Sequence, residues 1–78
     1  MTNRVIYSLD TETVLDVLNG LVAFNLPAGA KIVDIREDHL RYRVELLCVG
    51  EVFDPVPAGA VPPIRTDLPI RHIRKGVT

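Results

Sequence analysis

Arg36, Arg41 and Arg43 crowd one short stretch of the chain, where the residues between them are partly apolar. If that stretch is extended, the three guanidinium groups project from one sheet face, where their paired N–H donors match a phosphate or carboxylate. The cargo so implied is an anionic small molecule such as a nucleotide. Asp34 and Glu45 beside them supply the competing explanation, a ladder of solvated ion pairs. Other reactive types are more isolated. Cys48, the single cysteine, falls on the apolar row of its segment and reads as a buried structural thiol. Ser8 is better placed to cap a helix than to act as a nucleophile. His39 and His72 lack metal-ligand spacing, and Glu37-Asp38-His39 reads as a solvated polar turn. Neither Pro-Ala-Gly-Ala segment is followed by the Gly-Lys-Ser/Thr of a phosphate cradle. Without a paired nucleophile and base, the expectation is a protein that is not an enzyme, with no catalytic residue, metal or cofactor.

These residues must be positioned by a small fold. A chain of 78 residues buries only about 60% of its unfolded surface, so one domain is expected. Its 47% hydrophobic and 24% charged residues are globular proportions. One cysteine permits no intrachain disulfide, which points to a reducing compartment. Asp10 and Glu12 break the N-terminal stretch before a signal-peptide core can develop, and the longest apolar runs fall far short of the roughly 20 residues of a membrane span. The expected location is cytoplasmic, or within a virus particle if the protein is of a phage type.

Periodicity gives the elements. Val5, Tyr7 and Leu9 alternate with polar or outward residues, predicting a strand over Asn3 to Leu9. Ser8 or Asp10 can cap a helix that runs from about Thr11 to Asn25, with Val14, Val17, Leu18, Leu21 and Phe24 as its apolar stripe. Asn19-Gly20 is the weak point of that helix. Pro27-Ala28-Gly29 reads as a turn, and the same four residues, Pro-Ala-Gly-Ala, recur at Pro57 as a reused turn. Lys31 to Glu37 and Leu40 to Val49 form a hairpin around a four-residue loop, Glu37 to Leu40. Pairing Ile35 with Tyr42 and Val33 with Val44 keeps the apolar rows together and sets Asp34 opposite Arg43. It also faces Arg36 with Arg41, an unfavourable contact.

The resulting fold class is α+β: a small β-α-β-β body over residues 1–54, with a three-stranded mixed sheet and one helix on one face. Its third strand lies centrally. The helix is expected to cover Val5, Tyr7, Leu9, Val33, Ile35, Tyr42, Val44 and Leu46. Residues 55–78 of the same domain, with Pro55, Pro57, Pro62, Pro63 and Pro69, read as an extended Pro-rich C-terminal arm.

Charge divides along the same line. Residues 1–54 hold five Lys/Arg against nine Asp/Glu, and residues 55–78 hold four against one. Arg71, His72, Arg74 and Lys75 make a basic tail end, yet without tryptophan and with only two Tyr and two Phe the stacking platform of a nucleic-acid reader is missing. The uncovered sheet face would present Ile6, Ile32, Leu47 and Val49, and the arm adds Val61, Ile64, Leu68, Ile70 and Ile73. Apolar surface of that extent marks a protein interface. The function expected is therefore a non-enzymatic binding or assembly module, a homo-oligomer whose arm reaches a neighbour. Phage-type accessory and structural proteins are one setting for such a body with an arm. The alternative is a protein that sequesters an anionic ligand on Arg36, Arg41 and Arg43.

Overall fold

A computed structural model describes residues 2–73. Strand β1 (Thr2–Asp10) turns Val5, Tyr7 and Leu9 inward, where all three are buried. Asp10 then caps α1 (Thr11–Leu18), its Oδ1 accepting the Thr13 N–H at 2.8 Å. Hydrogen bonding by Thr13 holds the Asp10 carboxyl below its ordinary pKa. The cap's contribution is thus present above the ordinary aspartate range and is lost as pH falls through the lowered value.

The helix stops well before Asn25. Gly20 adopts φ 74°; its N–H donates to the Val17 carbonyl at 3.1 Å while the Leu21 N–H reaches back to Asp16 at 2.9 Å. That pair of bonds is a Schellman closure, which needs a left-handed residue after the cap, and glycine adopts that conformation without strain. Val22, Ala23 and Phe24 consequently form a short strand, β2 (Val22–Phe24), instead of a fourth helical turn.

The remaining strands are β3 (Lys31–Asp38), β4 (Arg43–Val49), β5 (Pro55–Val56), β6 (Ile64–Arg65) and β7 (Ile70–His72). The fold is α+β, with mostly antiparallel pairing, but the main sheet has five strands where three were expected. Its order is β3-β4-β1-β5, with β6 also on β1, and β2 pairs β7 in a separate two-stranded sheet. Strand β4 sits between β3 and β1, matching Cys48 with Val5, Leu46 with Tyr7 and Val44 with Leu9.

No free arm is present in residues 55–73. Strand β5 pairs Thr2 and Asn3, β6 runs parallel beside Ile6 and Tyr7, and β7 zips onto β2. The prolines allow this because their carbonyls still accept: Pro63 from Ile6 N–H at 2.9 Å and Pro69 from Asn25 N–H at 2.6 Å. Lacking N–H donors, they also limit each pairing to two or three residues. The repeated Pro-Ala-Gly-Ala motif makes the same turn twice, with Gly29 at φ 81° and Gly59 at φ 82°. In each, the final alanine N–H bonds the proline carbonyl. Arg74 and Lys75, assigned above to a basic tail, lie outside the described residues.

The hairpin keeps a four-residue loop but moves it to His39–Tyr42. Asp38 decides this, since its Oδ1 accepts the Leu40 and Arg41 N–H groups at 3.2 and 3.3 Å and so starts the turn at itself. Ile35 therefore faces Leu46, Asp34 faces Leu47, and Arg36 faces Glu45. The expected pairs of Ile35 with Tyr42, Asp34 with Arg43 and Arg36 with Arg41 do not form. A bulge at Val33 shifts the register again and places Ile32 opposite Cys48, on the inner row and not the outer one.

Core and surface change accordingly. Val5, Tyr7, Leu9, Leu46, Cys48 and Phe53 form the buried cluster, with Val14, Phe24, Leu26, Ala30, Val44 and Leu68 against it. The Tyr7 ring meets Phe24 and Phe53 edge-on at centroid distances of 5.7 and 6.2 Å. Val33, Ile35 and Tyr42, expected under the helix, are exposed, because the eight-residue α1 packs on β1, β2 and β4 and does not reach β3. Leu18 is 76% exposed. Leu46→Ala should thus cost about 2–5 kcal/mol as a cavity, whereas Leu18→Ala should stay within about 0.5 kcal/mol. Chemical denaturation of the two variants, with the order reversed, would show that the helix packs by another face.

Candidate functional site

The outer sheet face is flanked by the chain itself. Ile6 and Leu47 are paired across β1 and β4, and the segment 60–62 borders the same hollow after the turn at Pro57. This open cavity of about 290 Å³ is lined by Ile6, Leu47, Ala60, Val61 and Pro62 and by four charged residues, Arg4, Asp34, Arg36 and Glu45. Strand alternation explains the set. Arg4 and Ile6 share the face of β1 opposite its buried row, and β3 and β4 add Asp34, Arg36 and Glu45 at matching rungs.

Arg4 is the least satisfied member. Its Nη2 donates to the Ala60 carbonyl at 3.5 Å, a weak bond, and its Nε is buried with no hydrogen-bond partner. Leaving a buried donor unmade costs on the order of 1–3 kcal/mol, more for a charged group. Among the described residues, the Lys/Arg–carboxylate pair within 4.0 Å is Asp38 with Arg41, and His39 lies 3.3 Å from Glu37; none of these is a cavity residue. Two guanidinium groups and two carboxylates thus surround an apolar floor. Such a balance suits a singly charged anion or a zwitterion better than a polyphosphate, which both carboxylates would repel. At roughly the lower limit of small-molecule pockets, about 300 Å³, the volume agrees.

The three arginines expected to converge are dispersed. Arg36 lines the cavity opposite Glu45. Arg41 stands in the hairpin loop, exposed, with Nε 4.0 Å from Asp38 Oδ2. Arg43 is structural: its Nε donates to the buried Ser8 Oγ at 2.6 Å and its Nη2 to the Ser8 carbonyl at 2.9 Å. Ser8, expected as a possible helix cap, is occupied by this contact, and Asp10 caps instead. Arg4 was missed by sequence reasoning. Its signal was its place on the outward row beside Ile6, but nothing local indicates that β1 is interior to the sheet with residues 60–62 bordering that row.

The other chemistry-bearing residues do not join the cavity. Cys48 is fully buried, and burial pushes its thiol pKa up, the opposite of what activates a nucleophile. His39 lies 3.3 Å from Glu37 on the exposed loop, and His72 pairs with Val22 in β7. Among the described residues no three His, Cys, Asp or Glu side chains converge as a metal site. Of the expected interface residues, Ile6, Leu47 and Val49 are half-buried, and Leu68 and Ile70 pack against the chain's own body. Ile32, Val61, Ile64 and Ile73 remain exposed.

Because Arg43 satisfies a buried serine, Arg43→Ala should lower stability by about 1–3 kcal/mol. Thermal and urea unfolding that matched the unaltered protein would return Arg43 to the pool of free ligand groups. No family model matches the chain, and neither the curated proteins nor the solved structures compared with it give a significant match.

Proposed function

We propose that the protein is a non-enzymatic binding and assembly module that acts through protein–protein contacts, with a second copy of itself as the first partner. The observation that carries this reading is the exposed apolar hairpin: Ile32, Val33 and Ile35 on β3 and Leu40 and Tyr42 in the loop, with Leu40 94% and Tyr42 74% exposed. Side chains of this kind clustered on one element mark an interaction surface, whereas singly scattered ones do not. The hairpin is favoured over the outer face, where Ile6, Leu47 and Val49 are half-buried, and over the C-terminal segment, which pairs with the chain's own body. Association also adds apolar burial to a chain whose own core is small.

A second reading, capture of a small anion, is favoured by one observation, the buried and unpartnered Arg4 Nε at the cavity wall. The same preparation tests both. Sedimentation over micromolar to near-millimolar concentration should show self-association, weakened by Tyr42→Asp, a change at an exposed position that should leave the fold in place. A monomer throughout would remove the self-assembly reading. In calorimetry, heat on titration with phosphate, acetate or a nucleotide that disappears in Arg4→Ala would support anion capture, and no heat would dismiss it.

A further inference from the structure

The two edges of the main sheet are treated differently. One side of β1 is closed in part, at Thr2 and Asn3 by β5 and at Ile6 and Tyr7 by β6. At the opposite edge stands β3, eight residues long and exposed from Lys31 to Glu37. Among the described residues no strand pairs its outer side. A long edge with apolar side chains is a template for another strand. Beyond the bulge at Val33 the ladder is regular, and that regular half carries the sequence Asp34-Ile35-Arg36-Glu37.

We propose that two copies of this chain join edge to edge through β3, antiparallel, with Ile35 on the two-fold axis. The inference rests on the assembly reading above and gives it a partner surface and a register. Charge complementarity selects that register. With Ile35 opposite Ile35 of the second copy, Asp34 of each copy faces Arg36 of the other, so two opposite-charge pairs form by symmetry. Moving the axis to Asp34 sets two carboxylates opposite each other, and moving it to Arg36 does the same to two guanidinium groups. Half-step shifts put Ile35 against a residue of the other sheet face, which the pleat forbids. Among axes through residues 34–36, the Ile35-centred one alone satisfies both the alternation and the charges.

The backbone at that position is ready for it. The Ile35 N–H donates to its neighbour's side chain, Asp34 Oδ1, at 2.9 Å. An N–H held by an exposed carboxylate is protected from indiscriminate strand addition while the copy is alone. On pairing, the Ile35 N–H passes to the Ile35 carbonyl of the second copy, and Asp34 is released to Arg36. Ile35, 64% exposed here, then joins Leu46 on the inner row in a continuous apolar band across both copies.

Charge exchange tests the register. Asp34→Arg or Arg36→Asp alone creates two like-charged pairs in the dimer, and each should weaken dimerisation by about tenfold or more. The double variant Asp34→Arg with Arg36→Asp restores opposite charges and should recover most of that loss, with circular dichroism melts verifying that each variant is folded. As a second measurement, Ile35→Cys should form a disulfide-linked dimer on mild oxidation, because the two Cα atoms across such a pair lie about 5.5 Å apart. Leu18→Cys, on the far side of α1, should not. Association that persists unchanged through both single reversals, or cross-links equally through either cysteine, would overturn pairing through β3 while leaving assembly intact. A monomer at every concentration would overturn both.

Discussion

Everything in this fold depends on β1 having partners on both sides. It is the longest strand, and its inward row of Val5, Tyr7 and Leu9 supplies half of the buried cluster. On one side β4 pairs it over seven residues, from Arg4–Val49 to Asp10–Arg43. The other side has no second long strand available in so short a chain. The C-terminal segment fills that gap with β5 and β6, two residues each. Hydrogen bonds at a central strand must be satisfied whatever the quality of the partner, since an unmade buried bond costs more than a poor strand.

That closure explains why a proline-rich stretch becomes structural. Proline cannot donate to a ladder but accepts through its carbonyl, so a partner that alternates turns with short extended pieces can cover an edge piecemeal. The Asn3 side chain adds a further tie, its Nδ2 donating to the Phe53 carbonyl at 2.8 Å and holding the loop that delivers Phe53 to Tyr7. The hollow beside Ile6 and Leu47, lined also by Arg4, Arg36 and residues 60–62, is a by-product of the same return path. The edge at β3 receives no such cover. Its guards are a bulge, alternating charges and the Asp34 clamp on the Ile35 N–H, common devices for an edge that must remain selective about what it pairs with.

Arg43 shows why a site cannot be read from residue type alone. In sequence it is one of three close arginines and suggests anion binding; in the fold it lies opposite Asp10 and bends over buried Ser8. The buried nitrogen left without a partner is Arg4 Nε, whose neighbours in sequence give it no distinction. Arg36 is the residue on which the two views meet, and it owes its place to a register set by Asp38 and not by the apolar rows.

The sequence by itself determined the local features, because each depends on a few adjacent residues. Alternation defined β1 and the inward place of Cys48; Asp10 with Glu12 started the helix; Pro-Ala-Gly-Ala made the same turn at both of its occurrences. The length of the hairpin loop and the place of β4 between β3 and β1 also followed from such patterns, whereas the loop's position and the register did not. Tertiary structure decided what depends on competition between distant groups. Which strand Val22–Phe24 paired once Gly20 had ended the helix, whether residues 55–73 stood free or closed β1, and which arginine nitrogen was buried without a partner were all settled by long-range packing. Those outcomes turn on satisfying backbone bonds between segments some fifty residues apart, as between Ile6 and Pro63, and local residue patterns carry no record of that demand.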